Sequence, residues 1–426
     1  MGPQTLEDWL AYQETLHPKT IDLGLQRVRA VLDRLALPKT RALTISIAGT
    51  NGKGSCVAVL DRILRASGRR VGAYTSPHIQ RYNERIAVDG VPVDDADLLR
   101  AFQRIEAARG DLSLSFFEFG TLAALVLFAE RPLDVQLLEV GLGGRLDAVN
   151  VVDADLALIA SIDIDHQEWL GNTREAIGLE KAGIMRSGRP VVLGDPEVPS
   201  TVIDHAEAIG ARAYLSGRDF GFERAGADWT FWGSELSLGQ LPPPAIPGDH
   251  QYLNAAAVLQ CLALLPPSLR PSAEAVIEGL TQVRLAGRFQ YIEGTVPVLL
   301  DVAHNPQAVG ALARFLAHRF QGVPCRAVFA VMRDKDIAEI VQRIKPQIAA
   351  WYLAPLGMTR AASPVELAEI LHNGGAGPVY SGFTTVRDAV KAAQADAEPG
   401  ELLLVFGSFF LVSDYLTMTQ EGGLHG

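Results

Sequence analysis

The stretch Ala48-Gly49-Thr50-Asn51-Gly52-Lys53-Gly54-Ser55 constrains this chain more than any other. An apolar, β-branched run at 43–47 precedes it, and an amphipathic pattern at 57–66 follows it. Strand, glycine loop and helix N-terminus together make a phosphate cradle. Glycines let backbone N–H groups turn onto one anion, and the helix dipole adds partial positive charge. Lys53 is placed to reach the outer phosphates and Ser55 to face a divalent cation. The usual phosphate-loop pattern wants Gly at position 47 and Ser or Thr at 54, where this chain has Ile47 and Gly54. The bland alternative, a glycine turn without a ligand, is disfavoured by the strand–loop–helix context.

At 426 residues the chain exceeds one ordinary core, and two domains are expected. A hydrophobic content of 48% with 20% charged residues suits a globular enzyme and excludes general disorder. The net charge of −11 disfavours nucleic-acid binding, while leaving room for a local basic pocket. Cys56, Cys261 and Cys325 are too scattered for a disulfide framework or a zinc site, so they read as reduced core thiols of a cytoplasmic protein. No basic-then-apolar leader opens the chain, and the apolar run at 122–129 is too short to span a bilayer. Nothing in the pattern asks for a protein partner, so a monomer is expected.

The patterning alternates strand and helix. Strands are expected at 43–48, 71–75, 135–140, 156–162, 190–194 and 211–215, with helices at 54–67, 94–109, 117–130, 173–186 and 199–209. Apolar strands between amphipathic helices indicate a parallel sheet covered on both faces. Segment 219–241 reads instead as an antiparallel meander around a small aromatic core, without the interleaved basic residues of a base-stacking platform. A proline-rich loop at 241–248 and helices at 250–265 and 272–281 follow. The alternation then restarts, with strands at 296–302, 326–331, 350–354 and 402–406 and helices at 306–319, 336–344, 364–371 and 384–395. The chemistry-bearing residues suggest an α/β chain with a P-loop parallel-sheet ATPase domain over 1–287 and a smaller Rossmann-like α/β domain over 288–426.

Polar residues cluster where apolar strands end, the place where open α/β sheets bind ligands. Glu139 closes one strand beside a second glycine-rich stretch, Gly141-Leu142-Gly143-Gly144-Arg145-Leu146-Asp147. A carboxylate there can hold Mg²⁺ against a nucleotide; a strand-end salt bridge is the plainer reading. His166 lies among acids at another strand end, which favours a metal or active-site role, and its nitrogen would tolerate Mn²⁺. A lysine on a helix is ordinarily a solvated surface charge; Lys181 sits among Ala, Gly and Ile, and its residue type gives it no special role. In the second half Asp301 and His304 share a strand-end rim, Arg288 lies at the domain hinge, and Ser408 follows a glycine turn.

These residues carry a family resemblance. The chain resembles the folylpolyglutamate synthase/dihydrofolate synthase family of the Mur ligase superfamily in motifs spread over nearly its whole length. They include Gly49-Thr50-Asn51-Gly52-Lys53-Gly54-Ser55, Thr75-Ser76-Pro77-His78 with Arg81-Tyr82-Asn83-Glu84-Arg85-Ile86, Phe116-Phe117-Glu118-Phe119, the stretch from Glu139 to Asp147, Asp165-His166, Glu180-Lys181-Ala182-Gly183-Ile184, Gly248-Asp249-His250-Gln251 with Asn254, Gly287-Arg288 and Asp301-Val302-Ala303-His304-Asn305-Pro306. The resemblance implies ATP-dependent ligation of L-glutamate to dihydropteroate or a reduced folate through an acyl phosphate. It implies that Gly49, Thr50, Asn51, Gly52, Lys53, Gly54 and Ser55 hold the ATP phosphates. It implies that Ser76, Glu139 and His166 hold Mg²⁺, and that Lys181 is carbamylated. Asn254, Arg288 and Asp301 match nucleotide contacts. His304 and Ser408 match positions that handle the incoming amino acid. Leu23, Phe117 and Asp147 fall where the pterin sits, with 21–25 as a loop folding over it, and Arg81 matches a substrate-binding position. Where many members have Trp-Pro before the Gly-Arg pair, this chain has Leu285-Ala286. A folylpolyglutamate synthase without the first activity, another Mur-type amino-acid ligase and a nucleotide-hydrolysing switch are the competing readings.

Overall fold

The computed structural model describes residues 2–19, 21–38 and 40–420. The chain forms two compact units, Met1–Ala245 with Tyr252–Val283, and Ile246–Gln251 with Arg284–Gly426.

The first unit is built on β1 (Leu43–Ala48), β2 (Val71–Tyr74), β3 (Ile86–Val88), β4 (Val91–Pro92), β5 (Val135–Glu139), β6 (Leu156–Ile159), β7 (Pro190–Leu193) and β8 (Arg212–Leu215). They form one sheet in the order β4-β3-β2-β5-β1-β6-β7-β8. From β2 to β8 all neighbours are parallel. The edge hairpin β3–β4 is antiparallel, an addition the alternating pattern did not indicate. The parallel strands are buried almost throughout, which is why they read as continuous apolar runs rather than as alternations.

Most expected elements appear within a residue or two. The strand expected at 156–162 stops at Ile159. Beyond it the backbone serves the glycine loop: the Ser161 carbonyl accepts the Thr50 N–H at 2.8 Å. The helix expected at 173–186 ends at Ala182, with Gly183 as its C-cap packed directly on Arg145; a Cβ there would sit 2.4 Å from the Arg145 Cβ. Helices Leu6–Thr15, Gln26–Leu35 and Phe409–Gln420 were not anticipated. Each carried a local signal. Thr5 and Asp8 make a capping box, Val28, Val31 and Leu35 share the buried face of the second helix, and the Ser408 hydroxyl accepts the Leu411 N–H at 3.1 Å in the third.

Strands β9 (Phe220–Ala225), β10 (Asp228–Gly233) and β11 (Ser237–Leu241) form the antiparallel meander. Its aromatics make a local core: Phe220, Trp229 and Phe231 are buried, and the rings of Phe222 and Trp229 pack on Tyr252.

The second unit contains β12 (Gln290–Ile292), β13 (Val298–Asp301), β14 (Cys325–Phe329), β15 (Ala350–Leu353), β16 (Val379–Tyr380) and β17 (Leu402–Phe406), in the order β12-β13-β17-β14-β15-β16. Only β12 pairs antiparallel. The carboxyl ends of β13, β17 and β14 therefore lie side by side. Strands β12 and β16 are very short and gave no pattern of their own.

Candidate active site

In the first unit, β2, β5, β1 and β6 are parallel neighbours, so the chain leaves all four at one edge. The loop after β1 turns into helix Lys53–Ala66. Gly52 takes φ 85°, and a Cβ placed on it would lie 2.6 Å from the Asn254 Oδ1. Only glycine satisfies both the backbone angle and the space. The segment from β6 pins the loop: the Asn51 N–H donates to the Ser161 hydroxyl at 3.0 Å, and Thr50 Oγ1 donates to the Asp163 carbonyl at 3.0 Å. Lys53 Nζ donates to the carbonyls of Gly49 at 2.8 Å and Thr50 at 3.3 Å. The loop thus contracts around its own lysine. Ser55 is buried in the first turn of the helix.

Glu139 ends β5, and its carboxylate oxygens would lie 3.9 Å from a Cβ on Gly54. It accepts the Ser76 N–H at 3.2 Å. The carboxylate and the loop after β2 therefore meet beside the helix N-terminus. His166 caps the short helix Gln167–Leu170 with φ 52° and receives its geometry from Asp165, whose Oδ1 accepts the His166 N–H at 2.8 Å. Among the described residues no group of three or more His, Cys, Asp or Glu forms a metal cluster. Glu139 and the backbone of Ser76 are brought together by their hydrogen bond; a carboxylate, a hydroxyl and an imidazole are donor types that Mg²⁺ or Mn²⁺ accepts.

The second glycine stretch lies on helix Arg174–Ala182. The Arg145 N–H donates to the Glu180 carbonyl at 2.7 Å, and a Cβ on Gly144 would meet that carbonyl at 2.8 Å. Asp147 closes the stretch; its carboxylate accepts the N–H groups of Leu142 at 2.8 Å and Val149 at 3.0 Å. Burial raises this carboxyl to about 7, against those backbone bonds. Lys181 is not the solvated charge that a helix lysine ordinarily is. It is only 3% exposed, because Ile177, Gly178 and Ala182 put it on the inner helix face. That spacing was the sequence signal for its burial. Burial, then the nearby Lys53 charge, lower its ammonium to about 7, with Asp165 and Asp147 opposing.

The ring of Phe117 packs on Gly141, where a Cβ would lie 2.6 Å from its Cζ, and 5.9 Å from the Tyr74 ring. The loop carrying Leu23 is fastened to the same stretch: the Gly24 N–H donates to the Leu146 carbonyl at 3.1 Å. Arg27, which the sequence reading passed over, bridges Asp22 at 2.6 Å and Glu118 at 2.9 Å. Arg81 is exposed and pairs with Asp95 at 3.2 Å. Asp195 was also missed; it is buried and accepts the Ile162 N–H at 2.8 Å, holding the segment beyond β6.

In the second unit Asp301 ends β13. Its carboxylate accepts the N–H groups of Phe289 at 2.9 Å and Ala303 at 2.8 Å. Burial raises it to about 6, opposed by the Arg288 charge. The Arg288 guanidinium lies 5.1 Å from the centre of the Phe409 ring. His304 Nδ1 is 2.8 Å from the Val302 carbonyl, an acceptor only, so Nδ1 bears the proton and Nε2 is the basic nitrogen of the neutral ring. Its ring centre is 6.0 Å from that of Phe409. Ser408 is buried at the start of the last helix. Asp301, Arg288, His304 and Ser408 thus gather around adjacent strand ends and Phe409.

Residues 287–409 match the family described as Mur ligase, glutamate ligase domain. The chain is 44% identical to the dihydrofolate synthase/folylpolyglutamate synthase of Escherichia coli strain K12, over 98% of this chain and 97% of that one. Its fold is similar to that of Escherichia coli FolC in complex with DHPP and ADP, with a TM-score of 0.92, 41% identity and 99% of each chain covered. It is also similar to a bifunctional folylpolyglutamate synthase/dihydrofolate synthase with Mn, AMPPNP and L-glutamate bound, with a TM-score of 0.90, 41% identity and 99% of each chain covered.

Proposed function

The chain belongs to the dihydrofolate synthase/folylpolyglutamate synthase family, and from that premise we propose how its own residues divide the reaction. It is an ATP-dependent ligase that adds L-glutamate to dihydropteroate, giving dihydrofolate, and to folates that already carry glutamate. A carboxylate is a poor electrophile at neutral pH. Phosphoryl transfer from ATP converts it to an acyl phosphate, and the amine of glutamate then displaces phosphate to leave an amide.

We assign residues 1–287 to ATP and pterin binding and residues 288–426 to the ligase half. The glycine loop from Gly49 to Ser55 holds the phosphates. The three protons of Lys53 let it brace the loop and meet a phosphoryl oxygen together. Ser76, Glu139 and His166 would hold the divalent cation, which when bound neutralises charge on the transferred phosphoryl group. Lys181, with its lowered ammonium, reacts as the neutral amine with CO₂, loses one proton and becomes a carbamate anion beside that site. Asn254, Arg288 and Asp301 contact nucleotide. His304, through Nε2, takes a proton from the glutamate ammonium, and Ser408 binds the amino acid. Leu23, Phe117 and Asp147 form the pterin side, an aromatic face for the ring and a carboxylate for its N–H donors, and Arg81 binds substrate. Three buried, unpaired thiols suit the reducing cytoplasm, and among the described residues no helix is long and apolar enough to cross a membrane.

The observation that carries this reading is the glycine loop at the end of β1, shaped by Gly52 and facing the Glu139 carboxylate. The experiment is ADP release with dihydropteroate, then tetrahydrofolate, each with glutamate, aspartate, alanine or glycine. Glutamate-dependent release with both acceptors is expected. No turnover with either acceptor refutes the folate reading, and turnover with tetrahydrofolate alone removes the dihydrofolate synthase activity.

A further inference from the structure

We propose that Glu84 and Arg85 are positioning residues that set Ser76 for the divalent cation, an inference resting on Ser76 and Glu139 as part of the metal site. Ser76 lies in segment 75–81, which leaves β2 without helix or strand. Such a segment has no ladder to hold it, so its shape must come from side chains. Here it comes from the turn that follows.

Glu84 gathers the far end. Its Oε2 accepts the Ile79 N–H at 2.8 Å, and its Oε1 accepts those of Gln80 at 3.0 Å and Arg81 at 2.8 Å. Three consecutive backbone donors converge on one carboxylate, and each bond is strengthened by its charge. Arg85 holds the near end twice. Its carbonyl accepts the Thr75 N–H at 2.8 Å, and its Nε donates to His78 Nδ1 at 2.8 Å. A guanidinium can only donate, so His78 Nδ1 is the acceptor of that bond. The guanidinium is wedged between aromatic faces, its carbon 5.4 Å from the ring centres of both Tyr82 and Phe116. Among the described residues it pairs with no carboxylate.

Ser76 is therefore held on three sides. Its own N–H reaches Glu139, Thr75 before it is tied to Arg85, and the residues after it are tied to Arg85 and Glu84. The planar fork of arginine matters here, because a lysine has one compact ammonium and cannot stack and donate in the same geometry. Neither Glu84 nor Arg85 is placed as a metal ligand; both act through the segment. Groups of this kind, which orient the residues that touch a metal, typically change metal affinity by about 10-fold to 100-fold when removed.

The test titrates Mn²⁺, followed by its paramagnetic resonance, into the whole protein holding a non-hydrolysable ATP analogue. Wild type is compared with Glu84→Gln, Arg85→Lys and Arg85→Met. Mn²⁺ affinity should fall about 10-fold or more in Glu84→Gln and Arg85→Met, with Arg85→Lys between. Binding of the analogue without metal should stay unchanged, and added Mg²⁺ should restore turnover. Arg85→Lys keeps the charge and carries the test should a harsher variant fail to fold. Mn²⁺ titrations that overlay the wild type, or a loss of thermal stability with metal affinity intact, overturn the inference. A wild-type protein that binds no Mn²⁺ alongside the analogue overturns the metal-site reading beneath it.

Discussion

Lys53 Nζ donates to the carbonyl oxygen of Gly49 at 2.8 Å, so the loop's only cation is folded back on the loop itself. This holds the ammonium at the helix N-terminus, where phosphoryl charge would develop. Lys53→Ala should therefore abolish ligation while the protein stays folded. Loss of one such contact typically lowers turnover about 100-fold or more, near 3 kcal/mol. ADP release and circular dichroism on the same sample check this; near-normal turnover refutes the phosphate assignment.

Gly52→Ala tests the cradle differently. With φ at 85° and the Asn254 Oδ1 2.6 Å from the new Cβ, strain is unavoidable. The variant should lose about 1–3 kcal/mol of stability. It should also show a smaller rise in melting temperature on adding ADP than the wild type. Equal ADP-induced rises would separate Gly52 from nucleotide binding.

Lys181 makes a pH prediction with a definite sign. Its ammonium is lowered from 10.5 to about 7 in the folded chain. Between those values the unfolded chain holds a proton that the folded chain has lost, so the contribution of Lys181 to stability increases as pH rises through that window. Below about 7 both states are protonated, and the folded state bears the full penalty of a buried charge. Carbamylation needs the neutral amine, so the carbamate should also grow as pH rises through about 7. A carbon-13 resonance from labelled bicarbonate, absent in Lys181→Met, reads it directly. No such signal in active protein rejects the carbamate.

Asp147→Ala should raise the KM for dihydropteroate more than that for ATP. It should also cost about 1–3 kcal/mol of stability, because the N–H groups of Leu142 and Val149 lose their acceptor. Steady-state kinetics with each substrate varied in turn separates the two effects. A change confined to stability would leave Asp147 as a brace for the glycine stretch.

Glu139→Gln and His166→Ala should each raise the Mg²⁺ requirement more than the dihydropteroate requirement. Metal titrations of both variants check this, and curves matching the wild type refute the metal assignment.

The local signals in this chain were strong where one residue's environment is set by its near neighbours. The loop from Gly49 to Ser55 is readable because only a strand, glycines and a helix start produce that order. Asn305 before Pro306 caps its helix as the residue types require, with its side chain accepting the Ala308 N–H at 3.0 Å. The helices at 6–15 and 26–35 carry capping and spacing signals, but short helices rich in charge resemble loops in sequence.

By itself, then, the sequence determined the alternation of strands and helices, the glycine loop, the meander and the polar residues at strand ends. These depend on backbone angles, caps and the two periodicities of buried faces. Only the tertiary structure decided which strand ends adjoin, because β5 enters the sheet between β2 and β1 from a distance of many residues and brings Glu139 to Ser76. It also decided the chemistry of Lys181. A lysine has an ordinary ammonium until packing removes its water and brings the opposing charges of Lys53, Asp165 and Asp147 to bear on it. Desolvation and nearby charge are properties of three-dimensional neighbours, and those are assembled only when the chain folds.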